Sequence, residues 1–174
     1  MSAPTFGGHY PRVEKMNKTA LGFSAVEMMV VVAIIAILAM IAIPSSLGRI
    51  VKEQVASTVP WAEVAKEPIA LQWKTSKTLP ADNAAAGLPA PEKMVSNFVT
   101  RLEVQEGAIH ITLGNKVHPK LQGKVLSMRP AVIEDAQIVP IAWVCGHAKA
   151  PSPMVVKGED ITTIPDEFLP SACR

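Results

Sequence analysis

Apolar residues form one unbroken run near the N-terminus, without the periodicity of a half-buried helix or strand. Residues 23–43 contain a single ionisable side chain, Glu27. At about 1.5 Å per residue, a helix over this stretch reaches about 32 Å, which matches a bilayer core of about 30 Å. The pattern predicts a membrane-spanning helix. Because a carboxylate inside such a helix costs roughly 2.5–3.5 kcal/mol on insertion scales, Glu27 is predicted to be functional.

Beyond residue 43 the pattern becomes that of an amphipathic helix. One face is marked by apolar residues at every fourth position, namely Leu47, Val51, Val55 and Val59. Pro44 is predicted to kink the helix just past the span, because its ring removes a hydrogen bond. Pro60 and Pro68 are predicted to break the helix further on. Residues 44–76 are therefore assigned to an amphipathic helix with proline breaks.

A proline-rich connector covers residues 78–94. After it, apolar residues recur at every second position, as in a strand. Strands are predicted over residues 98–105, 108–113, 124–133 and 137–145, with a turn at Glu106-Gly107 and Pro130 at an edge or bulge. Such a sheet must bury one face, and the amphipathic part of the helix is the long element available to cover it. The predicted fold class is α+β, with a long N-terminal helix packed on a four-stranded antiparallel sheet. Residues 77–174 would form the globular head.

Charge is balanced over most of the chain. Of 17 Lys and Arg and 15 Asp and Glu, three basic residues and one acidic residue precede residue 22, which leaves 14 of each sign beyond it. A broad nucleic-acid-binding face is therefore not supported, although a local patch is compatible with the composition. The basic residues before the apolar run place the N-terminus in the cytoplasm and the rest of the chain outside.

The two cysteines, Cys145 and Cys173, both lie in the outer part of the chain. In an oxidising compartment this pair is predicted to form a disulfide, whereas in the cytosol it would be two free thiols. The bond would close a loop over residues 145–173, worth roughly 3–4 kcal/mol in the chain-entropy model. The loop itself has little periodicity.

The N-terminal residues 1–22 form a polar leader with no structural pattern, and Met16 offers a second translation start. A secretory signal peptide is the competing interpretation of the leader and the apolar run. The run is long for a signal peptide, however, and Ile43-Pro44 is not followed by a good cleavage site. A signal peptide also leaves Glu27 unexplained.

The sequence contains few candidates for catalytic, metal-binding or ligand-binding residues. His147 lies close to Cys145 in sequence, but the distance to His118 and the absence of a Cys-x-x-Cys pair argue against zinc. His110 is expected on a strand face as an ordinary polar residue. The three tryptophans are expected to pack rather than to form a ligand platform. No nucleophile–base signature, phosphate loop or dinucleotide fingerprint is present, so no enzyme activity, cofactor or metal is predicted.

Gly22, Phe23 and Glu27, followed by the apolar run, resemble the N-terminal signature of the type IV pilins, in which a short leader ends in Gly. Residues 83–89, 140–145 and 164–173 are similar to segments of major pilin subunits of Gram-negative bacteria. The resemblance covers residues 16–174. Residues 24–26 and Met28 differ from the usual family residues but keep their chemical character. The leader of 22 residues is long for the family, which favours Met16 as the start. The prolines at positions 60 and 68 are also unusual.

The resemblance implies that a prepilin peptidase cuts between Gly22 and Phe23 and methylates the new amine of Phe23. Glu27 would then pair with the Phe23 amine of a neighbouring subunit and set the register of assembly. The simpler alternative is that Glu27 pairs with its own amine or favours the helix N-terminus. Alanines at every third position would allow close helix packing: Ala33, Ala36, Ala39 and Ala42.

The function implied is that of a structural subunit that polymerises into type IV pili and supports adhesion, twitching motility and DNA uptake. Its partners would be other pilin subunits, the peptidase and the assembly platform. It would lie in the inner membrane before assembly and in an extracellular fibre afterwards. The alternatives are a minor pilin, a pseudopilin of a type II secretion system, or a membrane-anchored periplasmic binding module that never polymerises.

Overall fold

The structure is a computed structural model that describes residues 22–174, without the side chains of residues 41–47. The predictions for residues 1–21, including a start at Met16, lie outside the described residues. The described residues divide between two compact units, with the boundary between Ile41 and Ala42. The kink predicted at Pro44 falls among the residues whose side chains are not described, and it stays a prediction.

Helical structure covers most of residues 25–76. Helix α1 runs from Ala25 to Thr58, a 3₁₀ turn follows over Val59–Ala62, and helix α2 runs from Glu63 to Ser76. Pro60 lies in the first turn of the 3₁₀ segment, where a missing N–H is tolerated. Helix α2 continues through Pro68, although the sequence predicts a break there. The helix is capped by Lys77, the residue after Ser76. Lys77 adopts a left-handed conformation and donates its backbone N–H to the carbonyl of Trp73.

The head is built on an antiparallel sheet whose first four strands follow chain order. Its strands are β1 (Val99–Gln105), β2 (Ala108–Leu113), β3 (Val125–Val132), β4 (Ala142–Cys145) and the short β5 (Val155–Val156). Glu106 and Gly107 both have positive φ angles, of 50° and 80°, which suits the tight turn between β1 and β2. The helix, the antiparallel sheet and the disulfide-closed loop confirm the predicted α+β fold.

Two details of the sheet differ from the prediction. Strand β4 begins at Ala142, so residues 137–141 are not part of it, and Ile138 is 89% exposed. Strand β5 was not predicted. It pairs with Ala131 and Val132 at the end of β3, whereas β2 pairs with the first half of that strand. Pro130 lies between these two paired stretches, where its missing N–H breaks no ladder bond, and its carbonyl accepts a hydrogen bond from Lys157.

The core of the head lies between the helical residues beyond position 50 and one face of the sheet. The predicted apolar helix face is seen in Val51 and Val55, which are buried, and in Val59, which packs against the core. Helix α2 adds Ala65 and Ile69. Alternate strand residues meet them from the sheet, as the period of two requires: Leu102, Val104, Ile109, Ile111, Leu126 and Met128.

Within the part of the chain that is described, no helix combines the length and the apolar character needed to cross a bilayer. The membrane span predicted over residues 23–43 stays a prediction.

Candidate functional site

The start of helix α1 brings together the residues singled out at the N-terminus. Gly22 and Phe23 precede the helix, and the N–H of Met28 donates to the carbonyl of Ser24 at 3.1 Å to begin the helical hydrogen bonding. Glu27 lies in the first turn and is exposed, one turn along from Phe23. A carboxylate at this position also interacts favourably with the positive end of the helix dipole. Cleavage, methylation and charge pairing at these residues stay predictions.

An uncovered apolar surface follows these residues along α1. Every residue from Gly22 to Met40 is exposed, and Phe23 retains 75% of its accessible surface. The large apolar side chains in this surface are Phe23, Val26, Met28, Met29, Val30, Val31, Val32, Ile34, Ile35, Ile37, Leu38 and Met40. Because soluble monomers rarely expose a contiguous apolar surface of this extent, it indicates contact with lipid or with another protein.

The disulfide between Cys145 and Cys173 confirms the predicted pairing. The two sulfur atoms are 2.04 Å apart, and the bond closes a loop with a sequence separation of 28. Both residues are buried. Cys145 ends β4, so the bond ties the last residues of the chain to the outermost strand of the sheet. The backbone N–H of His147 also donates to the carbonyl of Cys173 at 3.0 Å.

A carboxylate inside the loop binds it to the sheet. Asp160 accepts hydrogen bonds from the backbone N–H of Thr162 at 3.0 Å and from Nδ1 of His147 at 2.9 Å. It also lies 3.6 Å from the guanidinium of Arg129, on β3. Burial opposes the ionisation of Asp160, but the hydrogen bonds from Thr162 and His147 and the charge of Arg129 outweigh it, so the pKa of Asp160 lies below its ordinary value. The network therefore joins the loop to β3 of the sheet.

A buried histidine lies under the same loop. His110 is on β2 as expected, but it is only 2% exposed rather than an ordinary surface residue. Its Nδ1 lies 3.0 Å from the hydroxyl of Ser127 on β3, and that hydroxyl accepts the N–H of Ile161 from the loop. Burial lowers the pKa of His110 despite the opposing charges of Glu103, Asp160 and Glu159. The neutral imidazole therefore belongs to the folded state.

We predict that acid lowers the free energy of unfolding of the head. The pKa values of His110 and Asp160 are lower in the folded chain than in the unfolded chain, so the unfolded chain binds more protons at low pH. The free energy of unfolding should fall as the pH drops below about 6.5, where unfolded histidine protonates, and fall again below about 3.9, where unfolded aspartate protonates. Thermal unfolding of the full chain in detergent, followed by near-ultraviolet circular dichroism between pH 7.5 and 5, measures the first part.

Changing His110 to Gln should flatten this pH dependence between pH 7.5 and 5, since the buried titrating group is removed. Changing His118 to Gln is the matched control, because His118 lies in a loop and has a half-buried side chain. Equal slopes for the wild type and the His110→Gln variant would contradict the prediction.

Asn83 is a structural residue that the sequence analysis did not single out. It is 4% exposed, and its amide nitrogen donates to the carbonyls of Leu102 and Pro89, both at 3.0 Å. Its amide oxygen accepts the N–H of Val104 at 2.6 Å. One side chain thus holds the connector before the sheet against the outer side of β1. The turn-forming residues 82–87 indicate a turn at this point of the chain. Nothing in the sequence indicates which backbone groups the side-chain amide of Asn83 bonds to.

Comparisons with known proteins show similarity to pilins and fimbrial proteins. A family model described as Pilin (bacterial filament) matches residues 51–174. The chain is 30% identical over 165 residues to the type IV major pilin protein PilE1 of Neisseria gonorrhoeae, covering 91% of this chain and 89% of that protein. It is 27% identical over 168 residues to a fimbrial protein of Neisseria meningitidis serogroup A, covering 91% and 96%. It is 28% identical over 163 residues to the fimbrial protein EcpC of Eikenella corrodens, covering 91% and 94%.

Proposed function

Because the chain belongs to the type IV pilins, and is therefore a structural subunit of a pilus, we propose that it polymerises through its N-terminal helix after a leader is removed. The observation that carries this proposal is the uncovered apolar surface of residues 23–40, which contains Glu27 as its single ionisable side chain. In a fibre the same surface would pack against the corresponding helices of other copies. Outside the bilayer, burial of that surface from water would hold the assembled helices together.

Leader removal is proposed to occur at the bond between Gly22 and Phe23, by a prepilin peptidase that also methylates the amine of Phe23. The local structure supports access to this bond, since both residues are exposed and precede the helix. Among the residues that the structure describes, nothing lies within 4 Å of a Cβ atom added at Gly22. Packing among the described residues does not require glycine at that position, whereas close approach of a peptidase to the backbone would.

Glu27 is proposed to pair with the Phe23 amine of the neighbouring subunit. Cleavage creates an ammonium group with an ordinary pKa of about 7.7–8, which is largely charged at neutral pH. A carboxylate and an ammonium that are both buried among apolar helices relieve each other's desolvation only if they meet. The alternative is a pair within one chain, because Glu27 is one helical turn from Phe23.

The life of the subunit is proposed to have two stages. Before assembly, residues 23–43 span the inner membrane with the N-terminus in the cytoplasm, and the amphipathic helix of residues 44–76 and the head of residues 77–174 lie outside. The assembly platform then transfers the subunit into the extracellular fibre. Through this fibre the chain would support adhesion, twitching motility and DNA uptake, with the loop over residues 145–173 presented on the head.

Two other roles make different predictions. A minor pilin or a type II secretion pseudopilin would share the leader and the helix but would be scarce in sheared fibres, and a pseudopilin would generally lack the loop closed by Cys145 and Cys173. A membrane-anchored periplasmic binding module would keep the bond between Gly22 and Phe23 intact. The major-subunit role is favoured by similarity to proteins named as major pilins over 91% of the chain.

Intact-mass measurement on material sheared from the cell surface tests the proposal. We expect the mass of residues 23–174 with one added methyl group and one disulfide. A Gly22→Val precursor should keep its leader, whereas the matched Ala20→Val change inside the leader should leave cleavage unaffected. Sheared material that still carries Leu21-Gly22 joined to Phe23 would overturn the proposal and favour a membrane-anchored module.

A further inference from the structure

Residues 157–163, which we call the strap, cross the face of the sheet that points away from the helices. This outer face carries the side chains that alternate with the core residues of β2 and β3: Ala108, His110, Ser127 and Arg129. The strap follows β5, which pairs with Ala131 on the side of β3 opposite to β4. It ends at Thr163, whose N–H donates to the carbonyl of Val125 at 3.0 Å. The strap therefore passes obliquely over the first half of β3.

Hydrogen bonds to β3 hold the strap in place. The hydroxyl of Thr162 accepts the backbone N–H of Ser127 at 3.1 Å, and the hydroxyl of Thr163 accepts that of Val125 at 2.9 Å. The N–H of Ile161 donates to the hydroxyl of Ser127 at 3.1 Å. Side chains of the strap and of β3 thus replace the regular backbone ladder of a strand pair.

Apolar packing contributes little to the attachment of the strap. None of its residues, all of which the structure describes, is buried, and its single large apolar side chain, Ile161, is 37% exposed. The chain on either side is anchored separately, by the pairing of β5 with β3 and by Ile164, which is 2% exposed. Segments with few buried apolar contacts open at a lower free energy than the elements that they cover. The strap can therefore open while both of its ends stay attached.

His110 lies under the strap and is linked to it. A Cβ atom added at Gly158 would lie 2.6 Å from the Cβ of Ala108, so the strap passes directly over the outer-face neighbour of His110. The hydroxyl of Ser127 lies 3.0 Å from Nδ1 of His110 and accepts the N–H of Ile161. The other ring nitrogen, Nε2, is buried and has no hydrogen-bond partner among the described residues. Because an imidazolium donates at both nitrogens, one of its N–H groups would have no acceptor while the strap is closed.

The charges around His110 do not compensate for its burial. The carboxylates that act on the ring come from β1 and from the strap: Glu103, Glu159 and Asp160. The basic groups that pair with two of these carboxylates are Arg101, Arg129 and His147. Lys157, the cation of the strap, pairs with Glu134. Burial is the larger effect and lowers the pKa of His110 in the closed form, whereas opening hydrates the ring and restores its ordinary pKa of about 6.5.

We propose that the strap is an acid-operated flap, which is closed over the neutral imidazole of His110 and opens locally when that ring takes up a proton. Because the open form binds the proton more tightly than the closed form, acid below about pH 6.5 shifts the equilibrium toward the open form. Opening frees the backbone groups of Val125 and Ser127 that the strap residues bond. The flap belongs to the single subunit, so its test does not depend on polymerisation.

Amide hydrogen exchange of the full chain in detergent tests the flap. The protection factor, which is the intrinsic exchange rate at each pH divided by the observed rate, reports the opening equilibrium at Ile161 and Thr163. One histidine with its ordinary pKa in the open form should lower this factor by up to about 30-fold between pH 7.5 and pH 5. The amides of β2 should stay better protected at each pH, and dilute urea should leave strap exchange unchanged, because a local opening exposes little surface. Strap protection that is independent of pH, or equal to that of β2 at each pH, overturns the proposal.

Two histidine variants assign the acid response to one ring. His110→Gln removes the buried titrating group and should abolish the fall in strap protection toward pH 5. His147→Gln is the matched control, because His147 is exposed and contacts the strap through Asp160, and it should keep the acid response. An acid response that survives in His110→Gln, or that disappears in His147→Gln, contradicts the role of His110.

A third variant tests the link between His110 and the strap. Ser127→Ala removes the hydroxyl that accepts the N–H of Ile161, while His110 can still titrate. Protection of Ile161 should fall about fivefold at pH 7.5, as expected for the loss of one hydrogen bond, and the response to acid should remain. Wild-type protection of Ile161 in this variant would show that Ser127 does not hold the strap closed, and would overturn the proposed mechanism.

Discussion

Replacing Glu27 with alanine should leave leader cleavage intact and nearly abolish fibres. If Glu27 pairs with the Phe23 amine of the next subunit, its removal leaves a buried ammonium group without a partner. Breaking a buried pair in this way costs roughly 3–5 kcal/mol, which is about 100-fold or more in the equilibrium constant for each subunit contact. The measurement is the yield of sheared fibres per cell, with the mass of the cell-associated subunit confirming that Phe23 is its first residue.

The control for this variant is Glu53→Ala. Glu53 is also an exposed carboxylate on α1, and it forms an ion pair with Arg49 at 2.9 Å within the same helix. Such exposed pairs contribute only about 0.3–0.5 kcal/mol, so the control should assemble normally. Wild-type fibre yield from Glu27→Ala would remove the intermolecular pair from the mechanism. A Glu27→Ala chain that retains its leader would instead assign Glu27 to recognition by the peptidase.

Removing the disulfide should produce the largest loss of stability. The double variant Cys145→Ser and Cys173→Ser frees a loop with a sequence separation of 28 and should lower the free energy of unfolding by roughly 3–4 kcal/mol. Denaturant unfolding of the full chain in detergent, followed by circular dichroism, measures this change. The hydrogen bond from His147 to the carbonyl of Cys173 should also open more often, which amide hydrogen exchange detects.

The matched control for the disulfide is Ala172→Ser, which places the same side chain at the exposed residue beside Cys173. It should change stability by less than about 0.5 kcal/mol, as surface substitutions usually do. A double cysteine variant as stable as this control would mean that contacts such as those of Asp160 hold the loop without the bond.

The helix face and the first hairpin of the head could be predicted because each has a periodic pattern of its own. Val51 and Val55 mark the helix face that is buried, and Ile109 and Ile111 mark the sheet face that meets it. The turn at Glu106-Gly107 fixes the register of the first hairpin, since both residues adopt the positive φ angles that such a turn requires. Local sequence is sufficient where one face is apolar and the other polar.

The second face of the sheet could not be predicted, because the segment that covers it has no periodicity. Residues 146–174 bury His110 and Ser127 through isolated contacts, such as the N–H of Ile161 on the Ser127 hydroxyl. Strand β5 has only two residues, too few to give a pattern. These features follow from tertiary contacts, which composition and spacing do not encode.

The side chain of Asn83 has a consequence for subunits crowded together outside the cell. Strand β1 ends the sheet, and an unprotected strand at that position would offer its backbone groups as a template to the next molecule. By bonding to both Leu102 and Val104, the amide takes the place that an incoming strand would need. Lateral growth into cross-β aggregates is thereby blocked at this position of β1.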